Sequence, residues 1–330
     1  MKILCFDIRE EHKPFVKEWS NKNSIEVETV PYGLTLDTVS DVEGFDGITI
    51  AEPGQFDSNI YPKLTEYGIK NLAQRTAGFE NFDLEAAKEN GIVFTNVASY
   101  SPESIAEFTL MMALKLVRKS SAIDKKCRNY DFTWTEDVRG RVLREMTVGV
   151  LGTGRIGIEV VKLFKGMGAK VLGYDLYPNE AYEDIIEYKD SVEEIVKFSD
   201  VVTLHMPSTD SNYHLFDKEM FKNFKSTAYL LNAGRGQLVD TPALLDALDD
   251  GLLAGAALDT YENEAGYIPG NFKEEEIKDD VFKKILHHPK IDFTHHIAYY
   301  TDTSVQNMIW YALDSTKEII ETGTTANRLN

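Results

Sequence analysis

Residues 146–175 read Met-Thr-Val-Gly-Val-Leu-Gly-Thr-Gly-Arg-Ile-Gly-Ile-Glu-Val-Val-Lys-Leu-Phe-Lys-Gly-Met-Gly-Ala-Lys-Val-Leu-Gly-Tyr-Asp. The pattern is a strand, a glycine-rich turn, a helix closed by Gly168, and a second strand that ends in an acid. It constrains the fold more than anything else in the chain, because a βαβ unit of this kind needs a parallel sheet to belong to. Gly152 permits the tight turn, Gly154 lets backbone approach a pyrophosphate, and Gly157 lets the helix lie close against the strand. The helix N-terminus then faces the phosphates of a dinucleotide. Asp175, 23 positions after Gly152, stands where a carboxylate accepts hydrogen bonds from the adenosine ribose and repels a 2′-phosphate. No arginine follows at Leu176 or Tyr177, so the expected cofactor is NAD rather than NADP.

At 330 residues and 43% hydrophobic content the chain suits two cores better than one. The first hundred residues alternate short β-branched runs (Ile3–Ile8, Ile25–Val30, Gly47–Ile50, Lys70–Thr76, Ile92–Val97) with polar helical stretches, which predicts a small parallel sheet. At Ser101-Pro102 the pattern changes to a long helix, with Ser101 as N-cap and Pro102 at its first position. It is apolar around most of its circumference and is expected to be buried between domains or subunits. Beyond the dinucleotide unit, strands are predicted at 201–205, 228–232, 254–258 and 291–294, separated by helices at 192–197, 218–224 and 241–248. An amphipathic helix fills much of 300–330 and has no local sheet to join, so it is expected to return to the first domain. The predicted fold is α/β, with two Rossmann-like domains. A doubly wound NAD-binding domain, 101–299, is inserted in a smaller flavodoxin-like substrate domain, 1–100 and 300–330. The two crossings of the chain would serve as a hinge.

A net charge of −19 argues against nucleic acid or an anionic membrane surface as a partner. Two cysteines, a charged N-terminal stretch and the lack of ~18 consecutive apolar residues point to the cytoplasm. No metal is expected. Ligands of doubly wound sheets bind beyond the carboxyl ends of the strands, and three side chains there suit the reduction of a 2-oxo acid. Arg235 can grip a carboxylate through two parallel hydrogen bonds, which a lysine cannot do. His296 can donate the proton to a developing alkoxide, and a carboxylate such as Glu264 would hold its tautomer and favour the imidazolium. Taken singly, a loop arginine is usually a surface charge and a glutamate in an acidic stretch is usually solvated; behind successive strands of a cofactor sheet the trio reads as clamp, acid and orienter.

The segments Asn96–Glu107, Thr147–Gly157, Leu204–Pro207, Asn232–Asp240, Leu258–Glu264 and His296–Thr301 together resemble the D-isomer-specific 2-hydroxyacid dehydrogenases, within them the D-lactate and D-2-hydroxyisocaproate dehydrogenase branch. The resemblance implies reversible NAD-dependent reduction of a 2-oxo acid to the D-hydroxy acid, with the three roles on Arg235, Glu264 and His296. It also implies that the amides of Ala77 and Gly78 bind the substrate carboxylate and that Tyr100 and Tyr299 line the substrate site. Thr153, Arg155, Ile156, Asp175, His205, Pro207, Ala233 and Asp259 join Gly152, Gly154 and Gly157 as cofactor contacts, with Asp259 facing the nicotinamide carboxamide. A homodimer through the NAD-binding domains is implied as well. The chain departs from the family pattern in two places. His295 replaces the usual proline before the catalytic histidine, which offers a second imidazole; register with Ala298, Tyr300 and Thr301 favours His296 as the acid. Ala51 stands where pyruvate-specialised members carry tyrosine; this opens the side-chain pocket and favours bulkier oxo acids, unless Phe79 or Tyr299 refills it. Glu264 disfavours a formate dehydrogenase, and neither a phosphate-binding basic set nor a second cation for a glutarate side chain is visible. A corepressor-like protein that senses NAD by binding would share the fold, and turnover would distinguish the two.

Overall fold

The computed structural model describes residues 1–52 and 54–330, which form two compact units: Met1–Ser101 with Tyr300–Asn330, and Pro102–Tyr299. In the first unit five strands, β1 (Lys2–Cys5), β2 (Glu26–Thr29), β3 (Gly47–Ile50), β4 (Asn71–Gln74) and β5 (Val93–Thr95), make an all-parallel sheet in the order β2-β1-β3-β4-β5. This is the flavodoxin-like order, with its direction reversing between β1 and β3. The helix Asp302–Thr322 covers one face of the sheet. Its Val305, Ile309 and Leu313 recur every four residues and pack on Ile3, Cys5, Val16 and Trp19. Side-chain hydrogen bonds fix its depth: Trp19 Nε1 donates to Asp314 at 2.8 Å and Asn71 Nδ2 to Thr316 Oγ1 at 3.1 Å. The polar tail beyond it is not loose, because Leu329 N donates to Phe94 O at 3.0 Å beside an antiparallel bridge between Thr95 and Arg328. That bridge covers the edge of β5.

The second unit carries seven parallel strands: β6 (Thr147–Leu151), β7 (Lys170–Tyr174), β8 (Glu187–Tyr188), β9 (Val201–Leu204), β10 (Tyr229–Asn232), β11 (Gly255–Leu258) and β12 (Ile291–Phe293), in the order β12-β11-β10-β9-β6-β7-β8. Their side chains alternate between two separate cores, as strands buried on both faces must. Val148, Val150, Val201, Tyr229, Leu231 and Ala257 point into one. Leu151, Val202, Leu204, Leu230, Ala256 and Leu258 point into the other. The helix Pro102–Val117 packs on the first of these cores through Ala106, Met112, Ala113, Leu116 and Val117, yet Met111 on its outer side is 45% exposed. One face of this helix is therefore core within its own unit, and its outer side carries exposed Met111.

The remaining differences are small and physical. The helix expected over 218–224 ends at Phe221, and β8 is only two residues long, too short to show a periodicity. The helix Ser120–Arg128 is the polar helical stretch expected around Cys127, whereas Asp280–His287, short and rich in charge, was not anticipated. No helix among the described residues is long and apolar enough to cross a membrane.

Candidate active site

Three neighbouring strands of the second sheet end beside one another, and each delivers one of the three side chains singled out above. Arg235 follows β10, Glu264 lies beyond β11, and His296 follows β12. The imidazole that meets the carboxylate is that of His296: its Nδ1 lies 2.6 Å from Glu264 Oε1, whereas His295 is exposed. Glu264 is held in turn by its own loop, since its Oε2 accepts the Tyr261 N–H at 2.9 Å. His296 has φ 54°, the left-handed region in which a non-glycine residue is strained by ~1–3 kcal/mol. What holds it there is Asp259. This buried carboxylate accepts Thr294 Oγ1 at 2.6 Å and the N–H groups of Ile297 and Ala298 at 3.0 Å each, while its backbone carbonyl accepts the His296 N–H at 2.7 Å. Asp259 thus anchors the histidine loop, a task that the sequence did not suggest for it.

Asn232, fully buried at the end of β10, shapes the Arg235 turn. Its amide donates to Arg235 O at 2.9 Å and its oxygen accepts Gly234 N–H at 3.0 Å. Ala233 and Arg235 are half-buried, and Arg235 Nη1 donates to Gly234 O at 3.2 Å.

The glycine turn after β6 is built as its sequence predicts. Gly152 has φ 87°, and a Cβ there would lie 2.7 Å from the His205 carbonyl carbon. A Cβ on Gly157 would lie 1.9 Å from Gly152 O, so the helix Arg155–Gly166 rests directly on the turn. A Cβ on Gly154 would meet no protein atom within 4 Å, and no side chain caps the helix that begins after it. Arg155 is exposed and Ile156 half-buried at this helix start. Asp175 reaches back to the turn: Oδ2 accepts Thr153 N–H at 2.6 Å, and Oδ1 accepts Tyr177 N–H at 2.9 Å. Tyr188, on the two-residue β8, adds its hydroxyl to Thr153 Oγ1 at 3.0 Å. Pro207 is exposed beyond β9, and its carbonyl accepts the Asn212 side chain at 2.9 Å.

In the first unit, Ala77 and Gly78 follow β4. Asn96 Nδ2 donates to Ala77 O at 2.7 Å, so the trans peptide turns the Gly78 N–H to the opposite side. The neighbouring Arg75 is buried and its guanidinium is engaged internally, donating to Phe6 O at 2.6 Å, Asp7 O at 3.1 Å and Thr49 Oγ1 at 2.8 Å. It ties the end of β1 to that of β3. Ala51 is half-buried, with its N–H 3.4 Å from Asp7 Oδ2. Tyr100 packs on Ala73, Val97 and Ala312, and its carbonyl accepts Asn307 Nδ2 at 2.6 Å. Tyr299 is half-buried at the end of the second unit.

Comparison with known proteins agrees with this architecture. A family model described as "D-isomer specific 2-hydroxyacid dehydrogenase, NAD binding domain" matches residues 110–298, more than half of the chain. The chain belongs to the D-isomer-specific 2-hydroxyacid dehydrogenases. It is 51% identical over 330 residues, all of both chains, to a D-lactate dehydrogenase of Streptococcus agalactiae serotype III (strain NEM316), and 44% identical over 329 residues to one of Staphylococcus aureus (strain MRSA252), covering 100% of this chain and 99% of the other. Among solved structures, a D-lactate dehydrogenase from Treponema pallidum superposes with a TM-score of 0.93 at 37% identity, covering 100% of both chains. A D-2-hydroxyisocaproate dehydrogenase gives 0.94 at 36%, covering 100% of this chain and 99% of the other.

This dehydrogenase uses NAD, and its own geometry fits that cofactor: the space above Gly154, the uncapped amides at the start of the helix and the acid at the end of β7 suit a pyrophosphate and a ribose in turn. His205 follows β9, which flanks β6 on the side opposite β7. Its Nε2 lies 2.8 Å from Thr203 Oγ1, while its Nδ1 is sealed from solvent with no hydrogen-bond partner among the described residues. Burial lowers its pKa from 6.5 to about 3. Between those values the unfolded chain binds a proton that the folded chain refuses. Stability contributed here is therefore complete above pH ~6.5 and falls as the pH drops, by at most ~1.4 kcal/mol per unit. The residue as a whole is part-exposed, which places the loss between pH 7 and pH 5 at ~1–2 kcal/mol. His205→Gln should remove that part of the pH dependence. Urea unfolding of both proteins at the two pH values measures it, and identical slopes would show that the imidazole is solvated.

Proposed function

We propose that this enzyme reduces pyruvate to D-lactate, reversibly, with Arg235 holding the substrate carboxylate and His296, oriented by Glu264, exchanging the proton with the substrate oxygen. The observation that carries the proposal is the 2.6 Å contact between His296 Nδ1 and Glu264 in a strained loop that a buried aspartate holds in place. With Nδ1 committed to the carboxylate, Nε2 is the nitrogen that serves the substrate. NADH, when bound, supplies the hydride to C2. The chain's part is to fix the plane of the carboxylate, donate the Nε2 proton to the oxygen as negative charge develops there, and stabilise the imidazolium before transfer. In the reverse direction the neutral imidazole takes the hydroxyl proton. The amides of Ala77 and Gly78, with Tyr100, Tyr299 and Ala51, are assigned to substrate binding. Gly152, Thr153, Gly154, Arg155, Ile156, Gly157, Asp175, His205, Pro207, Ala233 and Asp259 are assigned to the cofactor.

Pyruvate is preferred as substrate on the strength of the full-length relatives named D-lactate dehydrogenase. Ala51 supports a second reading, a preference for branched or aromatic oxo acids, because a methyl group leaves the end of the pocket open. NADH oxidation with pyruvate, 2-oxoisocaproate and phenylpyruvate decides between them. The expected order places pyruvate first in kcat/KM, and a larger acid in first place would give Ala51 the deciding role.

A cytoplasmic homodimer completes the reading. Tyr130, Phe132 and Trp134 are 86%, 71% and 99% exposed in the second unit, and Met111 and Ile123 join them as exposed apolar side chains. Such aromatic surface suits burial against a second copy.

A further inference from the structure

A second histidine–carboxylate pair lies in the second unit, apart from the residues assigned above. His214, in the loop after β9, places Nε2 2.7 Å from Oε2 of Glu262, whose side chain is only 10% exposed. The other oxygen of Glu262 accepts the N–H of Thr241 at 3.1 Å, at the start of the helix Thr241–Asp249, where an anion is favoured. Two more hydrogen bonds link the same segments. The His214 N–H donates to Gln237 O at 2.9 Å, and Gln237 Nε2 donates to Glu262 O at 3.4 Å. His214 has φ 51°, and the Tyr213 ring stacks on its imidazole with centroids 4.0 Å apart. The segments also touch through backbone, since a Cβ on Gly236 would lie 2.2 Å from the carbonyl carbon of Tyr261.

Chain position gives this network its meaning. Gln237 is two residues after Arg235, and Glu262 is two residues before Glu264. The pair therefore joins the turn that carries the proposed clamp to the turn that carries the orienting carboxylate. We infer that His214 and Glu262 are positioning residues that set Arg235 in register with Glu264 and His296. The inference rests on the roles proposed for those three. Without His214, Glu262 is a nearly buried carboxylate with one donor fewer, and the 261–264 turn relieves that by moving toward water. A misplacement of ~1 Å at a reacting geometry is enough for a ~10²-fold loss. Most residues assigned to the cofactor, those at 152–157, 175, 205 and 207, stand on other segments; only Ala233 and Asp259 share these two.

The test uses the whole enzyme with NADH and its best 2-oxo acid, comparing wild type with His214→Ala, His214→Gln and Glu262→Gln. His214→Ala is expected to raise KM for the oxo acid about tenfold and to lower kcat, leaving KM for NADH within twofold. His214→Gln, whose amide can donate to Glu262, should recover most of the loss. Glu262→Gln, which keeps the acceptor for Thr241 but removes the charge, should fall between them and carries the comparison if His214→Ala does not fold. Wild-type oxo-acid KM and kcat in His214→Ala or, if it does not fold, in Glu262→Gln, equal damage in His214→Gln and His214→Ala, or a matching rise in KM for NADH would each overturn the inference. A failure of the underlying reading looks different, because then His296→Asn would turn over normally as well.

Discussion

Replacing His296 by Asn is expected to lower kcat for the 2-oxo acid by ~10²–10⁴-fold, the range of a general acid's contribution, while NADH binds as tightly as before. Asparagine keeps a donor near the position of Nδ1, so the contact to Glu264 is partly retained and the left-handed backbone is tolerated better than by most residues. What is lost is the proton at Nε2. His295→Asn is the matched control: its side chain is exposed, and the structure gives the Glu264 contact to its neighbour. Stopped-flow or steady-state NADH oxidation reads kcat, and quenching of protein fluorescence by NADH reads binding. If His295→Asn is the dead variant, the acid has been placed one residue too late. If neither variant loses activity, the proton comes from water and the His296–Glu264 pair is an architectural contact.

Much of this arrangement was legible before any coordinates because each part has a local cause. The glycine turn of 152–157 is dictated by contacts under 3 Å that only glycine survives, and two-sided burial makes the strands of the second sheet read as continuous apolar runs. Arg235, Glu264 and His296 were legible because ligands gather at the carboxyl ends of parallel strands, a rule of topology rather than of any one residue. What stayed hidden depends on contacts between segments far apart in sequence. Asp259 looks like a cofactor contact in the chain, yet 35 to 39 residues separate it from the loop it holds. Glu262 and Glu264 look alike in an acidic stretch. Only the fold shows that one faces His214 and the other His296. Arg75, a cation beside the proposed substrate loop, is likewise placed only by the fold, as a buried tie between strand ends.

Arg235→Lys is expected to cost ~10–150-fold in kcat/KM for the oxo acid, equivalent to one charge-assisted hydrogen bond of ~1.5–3 kcal/mol. The charge is kept, and the loss measures the fork alone. A single ammonium can hold a carboxylate at the right distance but leaves it free to rotate, so the C2 carbonyl is no longer fixed relative to His296 and the hydride donor. Both parameters should therefore suffer, KM through the weaker grip and kcat through the lost orientation. Arg235→Gln removes the charge as well and should fall further, to ~10³-fold or more, because the substrate carboxylate is then desolvated without a counter-ion. KM for NADH is the discriminating measurement. It should stay near the wild-type value in both variants, since most of the proposed cofactor cradle stands on β6, β7 and β9 and this turn adds only Ala233. A large rise in KM for NADH would reassign Arg235 to the cofactor. Unchanged oxo-acid kinetics would move the clamp to the amides proposed at Ala77 and Gly78. Arg75 could not take over, because its guanidinium is already engaged by Phe6, Asp7 and Thr49.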